Sequence, residues 1–165
     1  MADFRYAQFC PLARAAELIG ERWTLLVVRE LLTGPQRFSD LKRRLEGISS
    51  SVLAGRLERL ERIGVVVRRE LPPPAASSVY ALGESGRALF PVVRELVRWG
   101  LRFLDAPRPS DHFQTEWLPL ALKIFARQGP SPERSFEIVT RQEGEPIRVR
   151  VEGGAGGTEL IDPDD

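Results

Sequence analysis

The chain has 165 residues, 42% apolar and 28% charged, with a formal net charge of +1, the make-up of an ordinary globular protein of one domain or one domain with an appendage. No run of about 18 apolar residues offers a transmembrane helix, and Met1 to Phe9 lacks the basic start and apolar stretch of a signal peptide, so a cytoplasmic location away from membranes is the default expectation. One Cys and one His exclude an internal disulfide and a structural zinc site built by a single chain, which takes about four N/S ligands; no metal or cofactor is expected.

The small net charge hides an asymmetry. Residues 1–104 carry 17 Lys and Arg against 11 Asp and Glu, whereas residues 105–165 carry 7 against 12. A basic N-terminal part joined to an acidic C-terminal part points toward nucleic acid, although a basic face is as readily a merely solvated one.

Taken in chain order, Cys10-Pro11 opens a helix over Leu12 to Ile19, with Pro where the first turn has no N–H to lose and Gly20 at its end. A second helix runs from about Glu21 to Leu32. Trp23, Leu25, Leu26, Val27, Val28, Leu31 and Leu32 make it apolar nearly all round, as a central core helix must be. Thr33-Gly34-Pro35 stops it. A short helix follows from Ser39, a candidate N-cap, to Leu45, and Gly47-Ile48 is a turn. Ser49 caps a helix reaching about Ile63, with Leu53, Leu57 and Leu60 at i, i+4, i+7 as its buried stripe.

Val65 to Leu71 reads as a strand, Pro72 to Ser78 as a loop that consecutive prolines keep out of a central sheet, and Val79 to Leu82 as the returning strand. This order gives a helix-turn-helix with a β-hairpin wing. A long helix, Glu84 to Leu104, then carries more apolar residues than one small core can cover. Leu96, Trp99 and Phe103 are therefore expected to meet a two-fold partner, and Pro91 either kinks this helix or marks a boundary. The domain is expected over 1–104 and a Pro-containing linker over 105–111. A small α+β segment over 112–165 holds a helix at Thr115 to Arg127 and strands at Arg134 to Thr140 and Pro146 to Val151. Gly153 to Gly157 reads as a flexible loop. The fold class is thus mainly α with a β-hairpin wing, plus a small α+β C-terminal segment.

The residues between Cys10 and Leu104 resemble the HxlR family of bacterial transcriptional regulators. The similarity lies in Cys10-Pro11, Gly20-Glu21-Arg22-Trp23, Gly34-Pro35-Gln36-Arg37-Phe38-Ser39-Asp40-Leu41, Leu53-Ala54-Gly55-Arg56-Leu57, Leu60-Glu61-Arg62-Ile63-Gly64, Tyr80-Ala81-Leu82 and Trp99-Gly100. Gly83 departs from the Thr usual there. The resemblance implies a homodimeric winged-helix repressor or activator, dimerising through terminal helices, with double-stranded DNA as its partner. Trp117 to Arg127, Phe136 to Val139 and Ile147 to Val151 are similar to the beginning of an SCP2-like (sterol carrier) domain.

The helix after Ser49 is the expected recognition helix. A groove only about 12 Å wide favours short or basic side chains, and the outward face carries Ser51, Ala54, Gly55, Glu58, Arg59 and Arg62. Ser50 and Ser51 suit phosphate or base contacts at the helix start. Arg56, off the buried stripe, either reaches a phosphate or pairs inside the domain with an acidic neighbour. Ser39, Lys42, Arg43 and Arg44 are candidate backbone contacts, and Arg68, Arg69, Ser77 and Ser78 of the wing would touch phosphate or a minor groove.

Cys10 lies at a helix start one turn from Arg14, both of which favour negative charge on sulfur. The resemblance implies an oxidant or electrophile sensor there. The alternative is a small buried hydrophobe that never reacts. His112 reads as exposed, Glu143 and Glu145 as solvated, and Gly153 to Gly157 lacks the strand–helix context of a dinucleotide site. No catalytic group is expected, and a small-molecule effector remains open. Against the DNA-binding regulator stand two other functions: a winged-helix module for protein contacts, and a small ligand or lipid carrier that uses the C-terminal segment.

Overall fold

In the computed structural model the described residues are 5–71, 77–108, 111, 114–126, 134–139, 148–154 and 157–161. They fall into two units, Met1–Phe103 and Leu104–Asp165. In the first, α1 (Pro11–Ile19) starts on its proline, with Cys10 as an extended N-cap residue, and closes where the Gly20 N–H meets the Ala16 carbonyl at 2.8 Å. The second helix is shorter than expected. Glu21 to Trp23 form a turn, with Trp23 at φ 77°, so α2 spans Thr24–Leu32. A bulky residue stays in the left-handed region only when its surroundings hold it there.

Val27, Val28 and Leu31 bury α2 in the core, and Glu30 is buried with them. The next helix, α3 (Phe38–Arg44), corrects the expected cap: Arg37 occupies the N-cap position, and Ser39 lies exposed in the first turn. Gly47, at φ 83°, turns the chain into α4 (Ser50–Arg62). Here the cap is as expected, with the Val52 N–H donating to Ser49 Oγ at 3.2 Å. Leu53, Leu57 and Leu60 are fully buried against Val28, Leu41, Leu45 and Ile48. Truncating any one of them would cost about 2–5 kcal/mol.

The wing consists of β1 (Val66–Glu70) and β2 (Ser78–Leu82), antiparallel from Val66 opposite Leu82 to Glu70 opposite Ser78. Midway along β2 the hairpin is tied to the α2–α3 connection: Gln36 and Tyr80 exchange backbone hydrogen bonds of 2.9 and 2.8 Å. Pro72, Pro73 and Pro74 lie outside the described residues. The long final helix is broken, with α5 (Glu84–Arg87) followed by a turn, then α6 (Phe90–Gly100) and a 3-10 turn at Leu101–Phe103. Pro91, second in α6, lacks an N–H for the Arg87 carbonyl, and its ring would clash there. Gly86 seats α5 on the start of the wing, since a Cβ there would lie 2.1 Å from the Val65 carbonyl oxygen.

In the second unit a 3-10 turn, Thr115–Trp117, leads into α7 (Leu118–Phe125), and β3 (Arg134–Val139), β4 (Arg148–Gly154) and β5 (Gly157–Ile161) form an antiparallel sheet in that order. Val149 and Val151 are buried while Arg148 and Arg150 are exposed, the period-two pattern of a half-buried strand. The strand β5 corrects the sequence reading. Of the glycine-rich stretch, Gly153 and Gly154 end β4 and Gly157 begins β5, with Gly154 opposite Gly157 in register. His112, Glu143 and Glu145 lie outside the described residues.

Candidate nucleic-acid interface

With its leucines inward, α4 turns Ser50, Ser51, Ala54, Gly55, Glu58 and Arg62 to solvent. A Cβ on Gly55 would find no heavy atom within 4 Å, so nothing in the packing of this chain calls for glycine there. The hydroxyls of Ser49 and Ser51 lie 3.1 Å apart, and a helix N-terminus favours negative charge at this end.

The wing brings a second group of polar side chains forward. Arg68 Nε donates to Ser78 Oγ, and its guanidinium stands 5.8 Å from the Tyr80 ring centroid. Arg37, just before α3, donates to Ser77 Oγ at 3.1 Å. The expected site residues did not include Arg37, although it sits within the Gly-Pro-Gln-Arg-Phe stretch already singled out. Its contact 40 residues away in the chain becomes visible only once the wing folds beside α3. Arg69 is exposed.

On α3, Ser39 and Arg43 are exposed and Lys42 is half-buried; Arg43 pairs with Asp40 at 3.1 Å. Arg44 departs from the expectation of a backbone clamp. Its side chain turns inward, and its Nη1 lies 3.9 Å from Glu30 Oε2, while Arg29 grips Glu30 Oε1 at 2.6 and 3.0 Å. A buried carboxylate needs such partners to remain charged.

Two of the three arginines on the second half of α4, Arg56 and Arg59, also turn inward. Of its two readings, Arg56 takes the acidic neighbour: it pairs with Glu21, and its Nε donates to the Arg22 carbonyl at 3.1 Å. Arg59 does not lie on the outward face as expected. It donates to the Glu17 carbonyl at 2.6 Å, meets Glu21 Oε1 at 3.3 Å, and its side chain is only 15% exposed.

Near the N-terminus, the Glu17 carboxylate receives the Tyr6 N–H and the Arg14 guanidinium, each at 2.8 Å. The Arg14 bond and then the Tyr6 amide hold the Glu17 carboxyl below the usual glutamate range. Cys10 is exposed, which corrects the buried-hydrophobe alternative. It borders an open groove of about 630 Å³ with Phe9 and Arg14, and no residue of α4 lines that groove. On α6, Val93 is buried while Leu96 and Trp99 are exposed, as is Phe103 beyond it; the Trp99 and Phe103 rings lie 4.8 Å apart. Among the described residues no His, Cys, Asp and Glu cluster could hold a metal ion, and no helix is long and apolar enough to cross a membrane.

The family model described as HxlR-like helix-turn-helix matches residues 18–108. The chain belongs to the HxlR family. It is 36% identical over 100 residues to the uncharacterized HTH-type transcriptional regulator YvaP of Bacillus subtilis, covering 60% of this chain and 93% of that one. The reduced form of the transcriptional regulator YodB from B. subtilis superposes with a TM-score of 0.52 at 34% identity, over 61% of this chain and all of YodB. The redox regulator HypR in its oxidized form gives a TM-score of 0.54 at 29% identity, over 59% of this chain and all of HypR. These matches show a winged helix-turn-helix fold; in this chain α3 and α4 are the two helices that precede the β1–β2 hairpin.

Proposed function

We propose that this HxlR-family chain regulates transcription by binding duplex DNA as a homodimer. The first half of α4 enters the major groove, and the wing lies on adjacent backbone or in a minor groove. One observation carries this reading: in the first half of α4 the exposed positions include Ser50, Ser51, Ala54 and Gly55, all small and with open space around Gly55, and exposed arginines stand on the neighbouring elements. Small residues let a helix approach the floor of a groove about 12 Å wide, while cations supply the phosphate attraction. The regulator names of YvaP and YodB support it.

Ser50, Ser51 and Gly55 are then the groove-facing positions. Arg37, Arg43, Arg68 and Arg69, with Ser39 and Lys42, are the backbone-facing ones, and Ser77 and Ser78 orient the wing-side arginines. Arg56 and Arg59 serve inside the domain. Leu96, Trp99 and Phe103 form the homodimer contact. Cys10, exposed on its groove, is the candidate thiol for a redox response of the kind the HypR name describes. The C-terminal unit has no part in reading DNA, and no catalytic role is assigned to the chain.

A salt series tests the reading. Affinity for a duplex selected by the protein from a randomised pool should fall linearly in log salt and exceed that for random duplex by about 10³-fold or more. Equal, weak affinity for all duplexes would contradict it.

A further inference from the structure

Arg56 and Arg59 belong to the helix that reads DNA in this account, yet both are directed away from its outward face. Their donors converge on one short stretch, Glu17 to Arg22, which spans the end of α1 and the turn into α2. Arg59 donates to the Glu17 carbonyl at 2.6 Å and to the Glu21 carboxylate at 3.3 Å; Arg56 donates to the Arg22 carbonyl at 3.1 Å and forms an ion pair with the other Glu21 oxygen. Glu21 thus sits between two guanidinia. The turn that presents it is held open by Trp23 in the left-handed region, a conformation that persists only where surrounding contacts over-determine it.

We propose that Glu21, Arg56 and Arg59 are positioning residues for DNA recognition: they set the rotation and tilt of α4, and so where Ser50, Ser51 and Gly55 meet the groove. The inference rests on the DNA-binding reading above. A leucine stripe decides which side of a helix faces inward but is non-directional, so it leaves small slides and rotations cheap. A planar guanidinium bound to two fixed acceptors is directional and removes that freedom. Groove contacts depend on such placement, because a displaced site loses affinity while its fold survives. Glu17 extends the arrangement: its carbonyl holds α4 through Arg59, while its carboxylate holds Tyr6 of the N-terminal segment and Arg14 of its own helix. A change in that segment therefore has a covalently short route to the recognition helix.

The test uses the full chain and a duplex selected from a randomised pool by the native protein. Affinities for that duplex and for random duplex are measured by fluorescence anisotropy across about 50 to 200 mM salt, for the native protein, Arg59→Ala, Glu21→Gln and Glu21→Gln/Arg59→Ala. Positioning predicts that each single change weakens the selected duplex by about tenfold and leaves random duplex nearly unaffected. The double change should be no worse than the worse single one, as for residues acting as a unit. The slope of log affinity against log salt should match the native slope. A phosphate contact by Arg59 would instead lower the slope by about one and weaken all duplexes alike. That result, or a Glu21→Gln protein that binds like the native one, overturns the proposal. Should Arg59→Ala fail to fold, Glu21→Gln carries the test by itself, since it leaves both arginines charged and differs by one atom. A native protein that selects no duplex would overturn the DNA-binding reading and this inference together; the variant outcomes overturn the inference alone.

Discussion

The amide N–H of Tyr6 donates to Glu17 Oε1 at 2.8 Å, a bond that ties the N-terminal segment to α1. Glu17 also accepts from Arg14, and its carboxyl is held below the usual glutamate range, by the Arg14 bond first and the Tyr6 amide second. A depressed folded-state pKa stabilises the fold at pH values above the unfolded carboxylate range, and the effect is lost as pH falls through the folded value. The Tyr6 amide resonance should therefore shift together with Glu17 protonation, at a midpoint below that of an unperturbed glutamate. Glu17→Gln should abolish that titration. A Tyr6 amide insensitive to pH across the carboxylate range would show that the bond does not hold the segment.

Gly55 separates folding from binding. It lies mid-helix with open space around a would-be Cβ, so Gly55→Ala should raise stability by about 0.5–1 kcal/mol in urea unfolding. Gly55→Glu should also fold, yet lose duplex binding, because a long anionic side chain would stand between α4 and the groove. A Gly55→Glu protein with native affinity would move the reading face elsewhere on the domain.

Trp99 and Phe103 offer the apolar surface for a second copy. Both are more than half exposed and their rings stack at a tilt. Changing Trp99 to Asp should convert a dimer into monomers or aggregates in sedimentation experiments, with the core around Val93 left in place. A native protein that sediments as a monomer at micromolar concentration would remove the homodimer from the account.

Cys10 can be tested through exchange chemistry. An added small disulfide, attacked by the Cys10 thiolate, would release one thiolate and leave a mixed disulfide on Sγ. If this thiol is a switch, that adduct should change affinity for the selected duplex, a reducing thiol should restore it, and Cys10→Ser should be unresponsive while still binding. Mass spectrometry showing full modification with unchanged affinity would leave Cys10 without a regulatory role.

Much of this was legible because it is periodic. Leu53, Leu57 and Leu60 announce the buried side of α4, Ser49 announces its cap, and the β-branched run with its prolines announces the wing. What escaped the sequence depends on partners far along the chain. The inward turn of Arg59 follows from Glu17 and Glu21, 42 and 38 residues earlier, and a helical wheel alone puts Arg59 outside. The pairing of Arg37 with Ser77 was hidden for the same reason. Glu30 lies buried in the core helix with Arg29 beside it and Arg44 of α3 near its carboxylate, and the Arg44 approach is one no local pattern displays. The break before α6 was half visible in Pro91, and β5 was missed because glycines read as loop signals even where, like Gly154 and Gly157, they lie in paired strands.

The central claim, that two copies of this chain read DNA through α4, is tested most directly by a hydroxyl-radical footprint on the selected duplex. The account predicts two protected half-sites related by a dyad. Their centres should lie one helical turn apart, about 34–36 Å, or a multiple of that, with protection lost in Gly55→Glu. A single asymmetric patch of protection, or the same footprint from Gly55→Glu, would contradict it.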